Sequence, residues 1–322
     1  MAKNLLGRER GWTPVSRAAS LYERMDRGYP DRFMELFERR GESATVVRGA
    51  IFKPYSGMVV PFGPANADYS LSDEEAASAL RVLGGTVLRT TTGFRPAAAV
   101  ADWYAVICRS FRPVESVSSS NTRSKLRRGL RNCEVRRISA QELASWGYEV
   151  YVRAFDRYTG ADAPVAEDRY RAHILATEGF DDIVDHWGVF CDGAPAGYAS
   201  NYVFGETEAA YSTLKFHPDH LRRYTSYALF HRMNEHYLGE RGVAYVNDGF
   251  RSILHGTELQ PFLEHNFAFE KAYVGIDAFY RQPYRAILRA TFPFRGLISR
   301  LDNRARAMYE LERVVRAARG HA

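Results

Sequence analysis

Two short stretches of this sequence carry the side chains best suited to chemistry. In the first, HPDHLRRYTSYALFHRM (217–233), a proline ends a predicted strand, and two arginines accompany a predicted helix that begins near His220. A helix start offers unpaired backbone N–H groups and the positive end of the helix dipole, so it can bind a phosphate. Arg222 and Arg223 would add charge-assisted hydrogen bonds. The alternative is a capped helix whose arginines face solvent.

The second stretch, NDGFRSILHGTE (247–258), begins at the end of a predicted strand. Asp248 stands where open α/β sheets place ligand groups, and an aspartate there can take a proton from an attacking ammonium. It can equally cap a turn, as Asp-Gly pairs commonly do. His255, in a predicted loop, is a second catalytic candidate. Asn247 and Arg251 are candidates for binding substrate oxygens.

Several other chemistries lack their motifs. The chain has no GxSxG, Walker loop, HExxH or GxGxxG, which disfavours hydrolases, kinases, metalloproteases and dehydrogenases. Its 3 cysteines are widely spaced and its 9 histidines are scattered, so we expect no metal site and a reduced environment. No apolar run is long enough to span a bilayer and no signal core stands at the N-terminus, which predicts a cytoplasmic protein.

The elements that must position these residues divide the 322-residue chain into five parts. We predict a helical lead-in (1–45), an α/β unit (46–113), a basic connector helix (114–137), a second α/β unit (138–290) and an arginine-rich helix (291–322). The second unit is predicted to run helix, three-strand meander, helix, strand, helix, strand, with FAFEKAYVGIDAFYR ending the sheet. The predicted fold class is therefore α/β with two lobes, each a mixed sheet flanked by helices.

The net charge of +6 favours polyanionic partners. Basic residues cluster in RSKLRRGLRNCEVRR (123–137) and in the tail (300–319). One interpretation of each cluster is a solvated helix face. The other is a contact surface for the phosphates of a coenzyme, a tRNA or a lipid head group.

The order of motifs in the second lobe resembles the GNAT superfamily of N-acyltransferases. The hairpin GVFCDGAPAGYAS, the segment AYSTLKFHPDHLRRYTSYALFHRM and the segment ELQPFLEHNFAFEKAY resemble that family's first hairpin, its coenzyme strand and helix, and its closing helix. The fit is closer to the FemAB-like and cellulose-biosynthesis-type acetyltransferase branch, where a basic helix similar to SKLRRGLRN precedes the lobe. The first lobe, with GAIFKPYSGMVVPFGP, resembles the first half of FemAB-like double-GNAT proteins.

The resemblance implies roles for the coenzyme strand and its loop. The strand would separate from its neighbour and offer its backbone to the acyl group, with Tyr211 and Thr213 toward the substrate. Leu214 and Phe216 would lie along the cofactor.

In the loop, Arg222 takes the first position of the family's phosphate motif, and the family's glycines fall on Thr225 and Tyr227. The hydroxyls of Thr225 and Ser226 would still donate to phosphate oxygens. In the closing helix, the family's general-acid tyrosine is replaced by Glu264, with His265 beside it. Either side chain can transfer a proton.

The resemblance implies an N-acyltransferase that moves an acyl group from an acyl-CoA-type thioester to an amine or hydroxyl acceptor, either a small molecule or a peptide. A FemAB-like alternative uses an aminoacyl-tRNA as donor, with the basic helix (123–131) contacting the tRNA backbone. A further alternative is a catalytically silent GNAT-like protein that binds an anionic partner. A plain RNA-binding protein is less well supported, because no motif combines stacking and basic residues.

Overall fold

The chain forms both strands and helices in each of its two lobes, as predicted. The computed structural model describes residues 29–97, 102–156, 163–252, 258–300 and 302–320. Its strands are β1 Thr45–Val47, β2 Ala50–Tyr55, β3 Met58–Phe62, β4 Val87–Phe94, β5 Tyr104–Cys108, β6 Glu134–Ile138, β7 Val184–Cys191, β8 Ala194–Phe204, β9 Glu208–Phe216, β10 Tyr245–Phe250 and β11 Glu270–Tyr280. Its helices are α1 Tyr29–Arg39, α2 Asp73–Val82, α3 Ser120–Asn132, α4 Ala140–Phe155, α5 Glu167–Leu175, α6 Thr225–Asn234, α7 Leu259–Phe267, α8 Tyr284–Thr291, α9 Arg295–Ile298 and α10 Asn303–Ala318.

The strands form one mixed sheet that runs through both lobes. Their spatial order is β1-β2-β3-β4-β11-β5-β10-β9-β8-β7-β6. The predicted α/β fold class is confirmed, but the placement of β11 at the end of the sheet is wrong. β11 pairs with β5 through Glu270–Tyr273 and with β4 through Val274–Tyr280. It therefore lies at the centre of the sheet and joins the lobes.

Several helix starts and turns follow from local sequence signals. Ser72 accepts from the N–H of Glu75 at 3.2 Å, and Glu75 accepts from the N–H of Ser72 at 2.8 Å, which makes a capping box for α2. Ser139 accepts from the N–H of Glu142 at 3.1 Å and caps α4. Between β7 and β8, Asp192 and Gly193 both adopt positive φ, as an Asp-Gly hairpin turn requires.

Other segments differ from the predicted boundaries. The basic connector helix ends at Asn132, and the residues after it form β6 instead of continuing the helix. The helix predicted over 291–322 is α10, preceded by the short helices α8 and α9. Of the predicted lead-in, α1 is described, whereas residues 1–28 lie outside the described part.

Helix α6 and the strands around it form the core that positions the candidate site. Leu229, Phe230 and Met233 of α6 are fully buried against Ala199 of β8 and Val246 of β10. Burial of each large apolar side chain of this kind stabilises the fold by roughly 1.5–3 kcal/mol. The start of α6 is therefore held firmly relative to the ends of β9 and β10.

Candidate active site

Strands β9 and β10 separate to form a wedge in the second lobe. They are parallel neighbours only from the pair Glu208–Tyr245 to the pair Ala210–Asn247. Beyond that point β9 continues with β8 as its partner, whereas β10 stays with β5. One backbone edge of residues 211–216 therefore has no strand partner among the described residues.

A bulge lies at the point where the strands separate. Asn201 of β8 faces Tyr211 of β9 and Ser200 faces Thr213, so Ser212 is an extra residue without a partner. Bulges bend a strand and increase its twist. The bulge therefore helps to turn the far half of β9 away from β10.

The side chains of this half of β9 contribute mainly to the core. Tyr211 is buried and donates to Asn234 Oδ1 at 2.6 Å. Leu214 and Phe216 are half-buried and pack against the core of the second lobe, and Thr213 is half-buried. The predicted substrate and cofactor roles of these four residues stay predictions, and the feature of this segment that suits a ligand is its unpaired backbone edge.

Asp248 lies where the wedge opens. It directly follows Asn247, the last residue of β10 that pairs with β9, and it is half-buried. Burial raises the pKa of the Asp248 carboxyl from 3.8 to about 7, and a hydrogen bond from the Gln260 side chain opposes the rise. Burial also raises the pKa of Tyr211, and the charge of Asp248 adds to that rise. At neutral pH the Asp248 carboxyl can both accept and release a proton, as a general base must.

A buried polar network holds the backbone next to Asp248. The Asn247 amide donates to Glu208 Oε1 at 2.9 Å, and Asn247 Oδ1 accepts from the N–H of Gly249 at 2.8 Å. The other oxygen of Glu208 accepts from the N–H of Ala65 at 2.6 Å. Burial raises the pKa of Glu208, and these hydrogen bonds oppose the rise. Because Ala65 belongs to the first lobe, the network joins the two lobes beside the candidate base.

A second contact between the lobes lies next to the first. The Tyr245 hydroxyl donates to Asn66 Oδ1 at 3.0 Å and accepts from the N–H of Asn66 at 3.1 Å. Tyr245 is buried, so both hydrogen bonds are shielded from water. The loop of the first lobe that contains Ala65 and Asn66 therefore supports the β9–β10 pair directly.

The two predicted substrate-binding residues of this stretch already have internal partners. Asn247 is buried within the network described above. Arg251 donates to the carbonyl of Asp102 at 2.9 Å and to Glu310 at 3.2 Å, which ties the end of β10 to α10. Substrate binding by Asn247 or Arg251 stays a prediction, whereas the contacts seen here position Asp248.

The remaining predicted catalytic residues are not brought to Asp248 by any described contact. Glu264 is half-buried and His265 is exposed, both on α7. His255 lies outside the described residues. Roles in proton transfer for these three residues stay predictions.

The loop after β9 differs from its predicted form. A 3₁₀ turn spans Pro218–Arg223, Tyr224 follows with φ 62° and ψ 38°, and α6 begins at Thr225 rather than near His220. A left-handed backbone favours glycine and costs tyrosine about 1–2 kcal/mol. The residue with glycine-like geometry is thus Tyr224, one position before the Thr225 to which the family pattern assigned a glycine.

The first turn of α6 retains the groups that bind anions. The first N–H with an acceptor inside the helix is that of Ala228, which donates to Tyr224 O at 3.1 Å. The N–H groups of Thr225, Ser226 and Tyr227 therefore have no acceptor within the helix, and no side chain caps the helix start. Together with the helix dipole, these groups favour an anion at this end.

The side chains of the same turn are divided between the core and the surface. The Thr225 hydroxyl is enclosed and has no hydrogen-bond partner in the described part of the chain, and the Tyr227 ring packs against Phe262 and Phe267. The expected phosphate contact of the Thr225 hydroxyl stays a prediction, although protein atoms surround this hydroxyl. A ligand role for Thr225 and Tyr227 rests on their backbone N–H groups. Ser226 is half-buried.

Arginines from two elements lie around this helix start. Arg222 is exposed and forms no ion pair with any described residue, whereas Arg223 pairs with Asp192 at 2.7 Å. Arg128 of α3 reaches the Tyr224 hydroxyl at 3.5 Å. The start of α6 therefore combines backbone donors with the guanidinium groups of Arg222 and Arg128, neither of which forms an ion pair with a described residue.

The basic helix α3 packs directly on the start of α6. Gly129 permits this contact, because a Cβ there would lie 2.7 Å from the Tyr224 carbonyl oxygen and 3.2 Å from the Ala228 nitrogen. Thr122 and Leu126 are also buried on α3. One face of α3 therefore belongs to the core.

We expect Gly129→Ala to displace the start of α6. The added Cβ meets backbone atoms that cannot rotate away, so the free energy of unfolding should fall by about 1–3 kcal/mol. Urea unfolding of the variant measures the change. Gly239→Ala is the matched control, because its Cβ would make only ordinary contacts with Phe111, the nearest at 3.6 Å. Equal stability of the two variants would contradict the close packing of α3 on α6.

Three residues that shape this site were not among the sequence candidates. Glu208 stands in GETEAA, where it resembles a polar turn residue, but it is fully buried. Gln260 contacts Asp248 from α7, and Gly129 sets the distance between α3 and α6. Of these three residues, only Gly129 carries a signal in the sequence, because a glycine inside a predicted helix often has a packing reason.

The wedge, the bulge and the uncapped helix start are the features of this two-lobe fold that suit a ligand. No family model and no curated protein sequence matches this chain. Among solved structures it is similar to FemX, with a TM-score of 0.51 at 10% identity over 80% of this chain and 92% of that one.

Two further solved structures are similar. L-PGS from Bacillus licheniformis aligns with a TM-score of 0.46 at 13% identity, over 80% of this chain and 95% of that one. A tandem GNAT protein from the clavulanic acid biosynthesis pathway aligns with a TM-score of 0.42 at 13% identity, over 74% and 82% of the two chains. The similarity to FemX confirms the predicted FemAB-like resemblance at the level of the fold.

Proposed function

We propose that this protein is an acyltransferase that uses the β9–β10 wedge to transfer an acyl or aminoacyl group to an amine. The observation that carries the proposal is the position of Asp248 at the opening of the wedge, where burial raises its pKa to about 7. The unpaired backbone edge of residues 211–216 lies beside it and is suited to holding the acyl group by hydrogen bonds.

In the proposed reaction, the nitrogen of the acceptor attacks the carbonyl carbon of the donor. A C–N bond forms and the C–S bond of a thioester, or the C–O bond of an ester, breaks. Asp248 takes the proton that the ammonium loses, and the leaving thiolate or alkoxide takes a proton from solvent or from a residue of α7. Unpaired N–H groups at the wedge would stabilise the oxyanion.

The donor that we propose first is an acyl-CoA thioester. Its pyrophosphate suits the three free N–H groups at the start of α6, with Arg222 and Arg128 supplying charge. This geometry supports anion binding without glycines, since Tyr224 supplies the left-handed turn that glycine would otherwise make.

An aminoacyl-tRNA is the second candidate donor, as the FemAB-like resemblance implies. Helix α3 favours it, because Arg127, Arg128 and Arg131 are all exposed and continue the positive surface away from the helix start. A pyrophosphate is too short to contact all of them, whereas a tRNA backbone presents a row of phosphates.

Donor binding separates the two candidates. Acetyl-CoA at saturating concentration should raise Tm, and Arg222→Glu should reduce its affinity about tenfold or more. For the tRNA alternative, Arg127→Glu/Arg131→Glu should abolish a salt-sensitive tRNA complex and leave the acetyl-CoA shift less affected. Arg171→Glu on α5 is the matched control. Absence of both complexes would contradict both donors and leave the catalytically silent alternative.

A further inference from the structure

An exposed segment near the C-terminus combines apolar and arginine side chains. Residues 281–300, here called the arginine–apolar segment, contain helices α8 and α9 and have one buried residue, Leu288. Four of the nine large hydrophobic side chains that are exposed in the described chain lie in it. They are Tyr284 (48% exposed), Ile287 (54%), Phe294 (63%) and Leu297 (66%). Such a concentration marks an interaction surface.

The charges of the segment have a single sign. It contains five arginines and no aspartate or glutamate, and none of the five forms an ion pair with a described residue. The five are Arg281, Arg285, Arg289, Arg295 and Arg300. By contrast, the neighbouring helix α10 neutralises Arg313 with Glu310 and Arg316 with Glu312. The unpaired charge of the segment is therefore available to an external anion.

The segment is attached to the body of the protein at its middle. Tyr309 of α10 donates to Thr291 Oγ1 at 2.8 Å, and the Arg316 guanidinium lies 3.7 Å from the centroid of the Phe292 ring. Leu311 of α10 is buried against the central strands of the sheet. The exposed side chains on either side of this attachment are thus presented by a fixed scaffold.

A cavity of about 340 Å³ opens beside the start of the segment. Its lining includes four guanidinium groups, one carboxylate and an aromatic ring, contributed by Arg81, Arg281, Arg285, Arg319, Asp73 and Phe279. Arg319 is paired with Asp277, whereas Arg81, Arg281 and Arg285 have no carboxylate partner among the described residues. The cavity therefore adds a recess for a phosphate group next to the exposed apolar side chains.

We propose that the arginine–apolar segment docks the protein on an anionic phospholipid bilayer. Aromatic and aliphatic side chains that enter the boundary of head groups and acyl chains, with arginines at the level of the phosphates, are typical of helices that lie in the interface. A second copy of this chain fits less well, because a two-fold contact would bring two all-positive surfaces together. No described helix is long and apolar enough to cross a bilayer.

Vesicle flotation tests this proposal without reference to the transfer reaction. The full chain should float with vesicles of phosphatidylcholine and phosphatidylglycerol and remain free with phosphatidylcholine alone. Phe294→Ser/Leu297→Ser should lower binding at least tenfold, because both side chains are mostly exposed and contribute little to the fold. Arg285→Glu/Arg289→Glu should lower it by about fivefold per arginine or more. Unchanged thermal melts would show that the variants remain folded.

Matched controls on α5 and just before it separate docking from general charge attraction. Arg169→Glu/Arg171→Glu makes the same change of net charge, and Val165→Ser/Leu175→Ser removes exposed apolar side chains next to them. Both controls should bind vesicles as the unaltered chain does. Three results would overturn the proposal: no flotation of the unaltered chain, an equal loss in the charge control, or a variant that dissociates a lipid-free dimer and leaves flotation unchanged.

Discussion

Asp248→Asn is expected to lower kcat/KM for amine acylation by about 10²–10⁴-fold at neutral pH. The amide has the shape of the carboxylate but cannot accept the proton of the attacking ammonium, and general-base catalysis contributes a factor of this size. For the unaltered enzyme, kcat/KM should rise with pH and level off above a pKa near 7, the pKa of Asp248. The variant should lose that titration.

The same substitution should stabilise the fold at high pH. The pKa of Asp248 is about 7 in the folded chain against 3.8 without burial, so the folded chain holds its proton more tightly. Ionised Asp248 therefore destabilises the fold increasingly as the pH rises from about 4 to 7, and fully above 7. Because Asp248 is partly exposed, its effect on stability is smaller than the full pKa shift implies. We therefore expect Asp248→Asn to raise Tm by about 5 °C at pH 8 and not at all at pH 4.

The control for both measurements is Asp181→Asn. Asp181 is exposed and lies outside the candidate site, so this variant should keep its activity and its Tm. Full activity of Asp248→Asn would refute the assignment of Asp248 as the base and direct attention to Glu264 and His265. An equal gain in Tm at pH 4 and pH 8 would contradict the ionisation argument.

Glu208→Ala is expected to cause the largest loss of stability, about 3–5 kcal/mol in the free energy of unfolding. The substitution leaves the Ala65 N–H and the Asn247 amide without acceptors inside the protein, and each unsatisfied buried donor costs about 1–3 kcal/mol. Loss of the packing of the Glu208 side chain, which is 1% exposed, adds to this. Urea unfolding monitored by tryptophan fluorescence measures the change.

Glu208→Gln tests whether Glu208 positions Asp248, separately from its contribution to the stability of the fold. It keeps one acceptor oxygen and most of the packing, so it should destabilise the fold less than Glu208→Ala does. We expect it to lower kcat more than KM, because Asn247 then no longer holds Asp248 in place. Glu206→Ala is the control, since Glu206 is exposed on the same β8–β9 turn. A Glu208→Ala variant as stable as this control would show that the network does not join the lobes.

The sequence predicted several helix starts and turns well, because their signals are local. Ser72 and Ser139 have the residue type and the following acidic residue that a helix cap needs, and both cap helices. Asp192-Gly193 is a common hairpin-turn pair, and it turns the β7–β8 hairpin with positive φ at both residues. Each of these depends on atoms a few residues apart, and one chain segment contains the whole signal.

The candidate site was predicted in part. Asp248 was selected for its position at a strand end, and Arg222 for its position beside a helix start. The start of α6 was misplaced, because the 3₁₀ turn and the left-handed Tyr224 depend on packing against Gly129 from a different helix. Glu208 was missed, since its burial comes from Ala65 and Asn247, which are distant in the sequence.

The sequence by itself determined most of the order of strands and helices, the basic character of α3 and the residues able to carry a proton. Only the tertiary structure decided that β11 lies between β4 and β5, so that one sheet joins both lobes. It also decided that the first lobe buries Glu208 beside Asp248, and that desolvation brings the pKa of that aspartate to about 7. The reason is physical: hydrophobic periodicity and capping act over a few residues, whereas burial, desolvation and strand pairing depend on which distant segments the fold brings into contact.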